Sequence, residues 1–453
     1  MSFAPHLSAP STLEPDWRSW RATLPEATRV PAADARALAD YVGAGAALLA
    51  QLPARPQRTA PQQAVADAIH GASREARSRF VQLHADWIYD RLTDGKRRRP
   101  QLAGLAGLSH RAAELFPGLV PTSADIAVER LSLQADKEAR EIDQGILFAA
   151  LLAAPAAGPH LVESLLRPGA RAQSLLAQFQ RDGLLELATL RLERRDGAAH
   201  LTVNNQRCLN AEDDQLIEDM ETAVDLALLD DGVRVCVLRG GVMSHPKYAG
   251  RRVFSAGINL KQLHQGQISF VDFLLRRELG YLNKMLRGLL VDVDGQSQPQ
   301  QLAKPWISVV DTFAIGGGAQ LLLVSDKVIG ESGSFFSLPA AQEGIVPGVA
   351  NLRLGRAVGT RMARQIILGG RRVQADEPDG GLLFDETVAP ELLDAALADS
   401  IAALDSPAVM ANKRMLVLAE EPFELFRQYM AAFALEQAYR MYSPDVLDKV
   451  SRA

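Results

Sequence analysis

The chain has 453 residues, of which 47% are apolar and 23% charged, the balance of a folded globular protein. Its length exceeds the size at which one hydrophobic core stops growing, so we expect two folded units. A net charge of −5 argues against a protein that coats nucleic acid, because such proteins neutralise many phosphates. No apolar run approaches the roughly 20 residues that span a bilayer.

Three further expectations follow from composition. The eight histidines show none of the spacings that typically bind metals, so we expect no metal ion. The two cysteines, Cys208 and Cys236, form no CxxC pattern and are predicted to be buried, reduced thiols. The N-terminus lacks a basic segment followed by an apolar one, so we expect a cytoplasmic protein without nucleic-acid or membrane partners.

Residues 1–183 are predicted to form an all-helical domain. From Pro31 to Phe179 apolar residues recur at three- and four-residue spacing. The clearest helical stretch follows Thr122, which forms a capping-box pattern with Asp125. The basic run Lys96–Arg99 is open to two interpretations, a solvated turn or an anion site, and the solvated turn is favoured because charge runs are usually exposed.

Residues 184–453 have the pattern of an α/β domain, which is predicted to end in helices from about residue 390. LELATLRLER, RDG and HLTVNN predict a hairpin that begins at Leu184, and a helix is predicted from Asp213 to Leu229. VRVCVLRG and WISVVDTFAIGGG each predict a buried strand, and AQLLLVSD predicts a helix. Alternation of strands and helices favours an α/β fold.

Two glycine-bearing turns are the strongest candidates for chemistry. VFSAGINLKQL (residues 253–263) and FAIGGGAQL (residues 313–321) each follow an extended segment and open into a helix. Unpaired N–H groups at a helix start suit a developing negative oxygen. Either turn alone is as well explained by a structural glycine bend, but their joint occurrence favours an oxyanion hole.

These two turns resemble those of the crotonase (enoyl-CoA hydratase/isomerase) superfamily. CLNAEDDQLIEDMETAV, AKPWISVVDTFAIGGG and FFSLPAAQEGIVPGVANLRL follow in that family's order, so the resemblance covers residue 184 to the end. It implies an α/β crotonase (ClpP/crotonase-like) fold with an all-helical N-terminal domain and C-terminal oligomerisation helices. It also implies an acyl-CoA substrate and a homo-oligomer, a trimer or hexamer.

The sequence departs from the hydratases at two catalytic positions. By motif alignment the family's two catalytic glutamates fall on Gln320 and Ala340, neither of which transfers protons at neutral pH. These losses and the helical extension resemble the cofactor-independent dioxygenases of glycopeptide antibiotic biosynthesis. That branch implies O2-dependent conversion of (3,5-dihydroxyphenyl)acetyl-CoA to an arylglyoxylate and coenzyme A, with no cofactor. A different crotonase reaction (an isomerase or a thioester hydrolase) and a non-catalytic acyl-CoA-binding relative remain the alternatives.

The resemblance also implies roles for individual residues. The backbone N–H groups of Ile258 and Gly317 are expected to bind the thioester oxygen. Leu260 and Ile345 are expected to line an oxygen pocket, with ordinary core packing as the other interpretation. The remaining substrate-binding candidates are Glu212, Arg277 and Gln320 for the ring hydroxyls, and His245, Lys247, Tyr248, Ala256, Gly257, Asn259, Lys261 and Gly316 around the acyl-CoA chain. Some of these assignments have alternatives. The neighbouring Arg276 leaves the register of Arg277 open, and Glu212 also suits the first turn of a helix. For the candidates His245, Lys247 and Tyr248, the other interpretation is plain solvent exposure.

Overall fold

The computed structural model describes residues 13–95, 104–293, 295 and 298–452, so the basic run Lys96–Arg99 lies outside the described residues. The first part of the described chain folds into helices, as its periodicity predicts. Their bounds are α1 (Leu13–Ala22), α2 (Pro31–Leu49), α3 (Ala60–Leu92), α4 (Gly104–Leu115), α5 (Ser123–Glu129), α6 (Glu141–Ala153), α7 (Ala157–Leu165) and α8 (Ala170–Asp182).

The helical stretch predicted after Thr122 is interrupted. Its capping box is present: the Thr122 hydroxyl accepts the Asp125 N–H at 3.1 Å, and the Asp125 carboxylate accepts the Thr122 N–H at 2.9 Å. However, helix α5 ends at Glu129 and α6 starts only at Glu141. Between them the chain turns to bury Lys137 beside Glu141, and this tertiary packing outweighs the local helical preference.

The second part of the chain is built on a seven-stranded sheet in the order β1-β2-β3-β4-β7-β9-β12. The predicted hairpin is present, because β1, β2 and β3 pair antiparallel, and the strands from β3 onward are parallel. Two small sheets complete the set, β11-β10-β8 and β5-β6. The strand bounds are β1 (Leu184–Glu186), β2 (Leu190–Arg195), β3 (Ala198–Val203), β4 (Val235–Gly240), β5 (Leu289–Val291), β6 (Gln300–Leu302), β7 (Trp306–Val310), β8 (Phe313–Ile315), β9 (Lys327–Glu331), β10 (Phe335–Ser337), β11 (Arg372–Gln374) and β12 (Glu386–Val388).

The single strand predicted for WISVVDTFAIGGG is instead two strands in different sheets. Strand β7 ends at Val310 and β8 begins at Phe313. Between them the Asp311 carboxylate accepts hydrogen bonds from Arg239 Nε at 3.1 and 3.0 Å. This ion pair holds the bend that redirects the chain from the large sheet toward the glycine turn.

Helices cover the sheets and close the chain, including the predicted C-terminal set. Their bounds are α9 (Asp214–Leu229), α10 (Leu260–His264), a π-helix (Phe270–Leu275), α11 (Arg276–Leu279), α12 (Tyr281–Arg287), α13 (Gly317–Leu322), α14 (Ala340–Glu343), α15 (Ala350–Ile367), α16 (Leu393–Leu404), α17 (Pro407–Glu420), α18 (Phe423–Arg440) and α19 (Pro444–Val450).

Helix α6 of the helical segment packs closely on α18 of the C-terminal set. A Cβ at Gly145 would lie only 2.5 Å from that of Ala438, so the two backbones approach as only glycine allows. Buried apolar side chains of both segments form one continuous core. The helices end at Asp182 and the first strand starts at Leu184, but the division into two domains at residue 183 stays a prediction.

Both cysteines are free thiols. Cys236 is fully buried in β4, but Cys208 is only partly buried, so the prediction of burial was wrong for that residue. Among the described residues no single helix is long and apolar enough to cross a membrane; one pair, Glu141–Ala153 with Ala157–Asp182, meets the length and composition and is bent by 106°.

Candidate active site

The two glycine turns meet in space. A Cβ added to Gly257 would lie 2.9 Å from the carbonyl oxygen of Ile315 and 3.4 Å from the nitrogen of Gly317. Gly257 also has a φ of 87°, which other residues rarely adopt. Both the close contact and the positive φ require glycine at position 257. Without a side chain there, the starts of α10 and α13 can lie side by side.

The N–H groups of Ile258 and Gly317 have no acceptor within the described parts of the chain. The Glu212 N–H donates to the Gly257 carbonyl at 2.6 Å, and the Asn259 N–H donates to the Glu212 carbonyl at 2.8 Å. In this parallel bridge the N–H of the intervening Ile258 points away from its partner. Gly317 is the first residue of α13, where a helical N–H has no internal acceptor.

A cavity of about 100 Å³ lies at this junction. Most of the predicted site residues line it. These are Glu212, Ala256, Gly257, Ile258, Leu260, Arg277, Gly316, Gly317, Gln320 and Ile345. Larger clefts of about 770 and 890 Å³ lie elsewhere on the surface, and neither contains a glycine turn.

Arg277 is the centre of a buried polar network beside the cavity. Its Nε donates to both oxygens of Glu212 at 3.1 Å, and its Nη1 donates to Glu278 at 2.6 Å and to Gln320 Oε1 at 3.0 Å. Its Nη2 donates to the Gly317 carbonyl at 2.6 Å, so the network holds one of the two glycine turns. The twin Arg276 instead pairs with Glu221, which assigns the cavity position to Arg277.

Electrostatics keep the Arg277 guanidinium protonated. Burial alone would lower the pKa of Arg277, but the charge of Glu212 raises it above the ordinary value. Burial raises the pKa of Tyr281 well above its ordinary value, so this phenol keeps its proton and donates to Glu212 Oε1 at 2.9 Å.

Five predicted substrate-binding residues lie outside the cavity lining. Asn259 caps α10, where its side chain accepts the Gln262 N–H at 3.1 Å. The others, His245, Lys247, Tyr248 and Lys261, lie near the turns, and all but the partly buried Tyr248 are exposed. The Tyr248 ring contacts Phe313 edge-on, with ring centroids 5.5 Å apart.

A family model described as enoyl-CoA hydratase/isomerase matches residues 193–415. A (3,5-dihydroxyphenyl)acetyl-CoA 1,2-dioxygenase of Amycolatopsis orientalis is 56% identical over 420 residues, which are 93% of this chain and 96% of that protein. The chain belongs to the enoyl-CoA hydratase/isomerase family. The family and fold class predicted from the glycine turns are thereby confirmed.

Other matches cover a smaller share of the chain. A probable enoyl-CoA hydratase of Rhizobium meliloti is 32% identical over 258 residues, 55% of this chain and 91% of that protein. The solved structure of an enoyl-CoA hydratase from Bacillus halodurans is 18% identical, covers 59% of this chain and 100% of that chain, and superposes with a TM-score of 0.49.

Both family glutamate positions, Gln320 and Ala340, line the cavity without a carboxylate. Sequence reasoning missed two carboxylates that do line it, Glu278 and Glu343. Both were within reach of sequence analysis. Glu278 directly follows Arg277, and Glu343 begins the EGIVPG motif of the segment FFSLPAAQEGIVPGVANLRL. It also missed two residues of α18, Phe433 and Gln437, because their approach depends on the tertiary fold.

No group of three or more His, Cys, Asp or Glu side chains is arranged to hold a metal ion in the parts of the chain that the structure describes.

Replacing Arg277 by alanine is expected to lower the free energy of unfolding by about 3–5 kcal/mol, because Glu212 and Glu278 would stay buried without their cation. Urea denaturation measures this loss. The matched control is Arg276→Ala: its side chain is 34% exposed, and Glu221 keeps Lys284 as a partner, so about 1 kcal/mol or less is expected. Equal losses in the two variants would contradict the assigned network.

Proposed function

We propose that this chain is a (3,5-dihydroxyphenyl)acetyl-CoA 1,2-dioxygenase, which converts its thioester and O2 to (3,5-dihydroxyphenyl)glyoxylate and coenzyme A. The observation that carries the proposal is the 56% identity to a protein of that name, which extends over 93% of this chain and therefore includes most of its helical segment. The geometry supports it, because two N–H groups without an acceptor among the described residues meet at a cavity whose lining lacks the hydratase glutamates.

The N–H groups of Ile258 and Gly317 bind the thioester oxygen in this proposal. Removal of an α-proton places negative charge on that oxygen, and one such donor contributes about 3–4 kcal/mol to the transition state. The α-carbon is flanked by an aryl ring as well as the thioester, so its proton is already acidic. Two backbone donors then suffice to stabilise the carbanion.

The ring hydroxyls of the substrate bind Gln320 and Arg277. A guanidinium only donates hydrogen bonds, so the oxygen of the Gln320 amide must face Arg277 and its Nε2 is left to donate to a ligand. Arg277 has five N–H donors, and the contacts to Glu212, Glu278, Gln320 and Gly317 leave one on Nη2. Glu212 is within reach of the same hydroxyls as an acceptor.

Oxygen reacts on the apolar side of the cavity, beside Leu260 and Ile345. We propose that no metal or organic cofactor takes part. The carbanion passes one electron to O2, and the substrate radical and superoxide combine to form a C–O bond at the α-carbon. The resulting peroxide attacks the thioester carbonyl and expels coenzyme A. Such intermediates must be kept from water. The apolar side chains of Leu260, Phe273 and Ile345 in the cavity lining are consistent with that requirement.

The coenzyme A chain leaves the cavity past Ala256, Gly257 and Gly316, toward the partly buried Tyr248 and the exposed side chains of His245, Lys247 and Lys261. Lys247 and Lys261 provide the cations that suit its phosphates. With both cysteines unpaired, we place the enzyme in the reducing cytoplasm.

Oxygen uptake by metal-free protein tests the function. Protein stripped of metal and given (3,5-dihydroxyphenyl)acetyl-CoA is expected to consume one O2 per coenzyme A released, and in labelled oxygen both labels should appear in the glyoxylate. Coenzyme A release without O2 uptake would indicate a hydrolase. Tight binding without turnover would indicate a non-catalytic relative, and activity restored only by a metal would refute the cofactor-free mechanism.

Gln320→Leu tests the ring contact. The variant is expected to lose about 10- to 100-fold in kcat/KM for the dihydroxylated substrate, because a buried hydroxyl loses its hydrogen-bond partner. Plain phenylacetyl-CoA has no such hydroxyl and should change much less. The ring assignment would be wrong if both thioesters lost the same factor.

We further propose that the chain forms a trimer or hexamer through its C-terminal helices. Helix α17 exposes Met415, Leu416 and Leu418 at 63, 56 and 60% of their surface. Lys413 fixes this helix to the sheet domain through Asp326, so its apolar face is held in place. A rigid exposed apolar face marks a protein interface.

The double variant Leu416→Glu with Leu418→Glu is expected to be monomeric by light scattering, because charges would be buried in the interface, while the wild type is trimeric or hexameric. Leu131→Glu is the matched control: Leu131 is 87% exposed in the helical segment, and its replacement should leave the assembly intact. A monomeric wild type would refute the proposal.

A further inference from the structure

Helix α14 places a carboxylate beside one of the lost glutamate positions. It is a single turn, Ala340–Glu343, and residues three apart on a helix share a face. Both Ala340 and Glu343 line the cavity. The carboxylate missing at position 340 therefore has a counterpart one turn later, on the same wall.

Three carboxylates line the cavity, those of Glu212, Glu278 and Glu343. Two of these carboxylates already accept hydrogen bonds from neighbouring residues. Glu212 accepts hydrogen bonds from Arg277 and Tyr281, and Glu278 accepts them from Arg277 and from the Val349 N–H at 3.1 Å. A proton on either would compete with these donors, so proton uptake there would disrupt the network that holds Gly317.

The carboxylate of Glu343 differs from these two. Its carboxylate forms no hydrogen bond or ion pair with any described residue, and its side chain is partly buried. Its backbone is nevertheless fixed, because Arg440 Nε donates to the Gly344 carbonyl at 2.6 Å and the Val346 N–H donates to Gln437 Oε1 at 2.9 Å. An unoccupied carboxylate on an anchored turn has the properties of a general base.

We propose that Glu343 is the proton acceptor of the reaction. This inference rests on the proposed function. In the first step the carboxylate takes one α-proton, the C–H electron pair moves into the enolate, and the negative charge arises on the thioester oxygen at Ile258 and Gly317.

The same carboxylate completes the proton balance. After the substrate peroxide displaces coenzyme A, the protonated Glu343 returns its proton to the departing thiolate. The regenerated carboxylate then takes the second α-proton as the O–O bond breaks, which leaves one oxygen in the ketone and one in the carboxylate. Both α-hydrogens are thus removed: one becomes the thiol hydrogen, and the other is released from Glu343 to solvent with the carboxylate product, which restores the base. The O2 of the proposed function is the only oxidant.

Hydrogen exchange under nitrogen tests this role separately from oxygenation. (3,5-Dihydroxyphenyl)acetyl-CoA is incubated in D2O with each protein, and α-deuterium is followed by mass spectrometry. The wild type is expected to exchange both α-protons. Glu343→Gln should exchange at least about 100-fold more slowly, the usual contribution of a general base, with unchanged affinity for the thioester by calorimetry. Glu343→Asp should recover part of the rate.

Glu391→Gln is the matched control, since it makes the same chemical change at an exposed position far along the chain and should exchange like the wild type. Wild-type exchange rates in a folded, substrate-binding Glu343→Gln protein would overturn the proposal, as would a wild type that never exchanges. If the wild type exchanges but consumes no O2, the proposed function fails, and the comparison with Glu343→Gln still decides the role of this residue.

Discussion

The site depends on one buried cation, the guanidinium of Arg277. It joins the loop that carries Glu212, the residue Glu278 on its own helix, and the first turn of α13 through Gln320 and the Gly317 carbonyl. Burying a charge is unfavourable unless it is paired, and here two carboxylates pair with it. Because Arg277 holds the carbonyl of Gly317, it also fixes the residue whose N–H is proposed to form half of the oxyanion hole.

The glycines of the site follow from this packing. A Cβ at Gly317 would lie 1.7 Å from Glu212 Oε2, and one at Gly348 would lie 2.1 Å from Glu278 Oε1. Both carboxylates press directly on the backbone that surrounds the cavity. Larger residues at either position would push the carboxylates away from Arg277, so the glycine-rich character of the turns reflects the polar network as much as the substrate.

The helical segment supports the site without lining it. Glu141, at the start of α6, accepts the N–H of Phe270 at 2.8 Å, and Phe270 opens the π-helix whose Phe273 lines the cavity. On the other side α6 packs on α18, which contributes Phe433 and Gln437 to the lining. Helix α6 thus supports two walls of the cavity, the π-helix and α18, from the side that faces away from the cavity. This contact explains how a segment without motifs of its own can influence the site.

Much of this arrangement could be predicted from the sequence, because glycine turns before helices and alternating strands are local signals. Gly257 and Gly317 were identified in this way, and so was Gln320 through the GGGAQ motif. Other features are set by tertiary contacts. The break between α5 and α6 depends on the burial of Lys137, and the split of the predicted strand depends on the pairing of Asp311 with Arg239. The local periodicity of the sequence indicates neither of these two contacts.

The division of charge within the cavity is the feature that suits it to an oxidation rather than a hydration. Hydration needs a carboxylate at positions 320 and 340 to move protons to and from water, and both have been replaced. The carboxylates of Glu212 and Glu278 accept hydrogen bonds from Arg277, so both belong to the network that holds the Gly317 carbonyl. In the proposed mechanism the base is therefore Glu343, on a wall that also contains the apolar side chains of Ile345 and Leu260. With no carboxylate at positions 320 and 340, the proposed site forms a carbanion that reacts with O2 instead of adding water across a double bond.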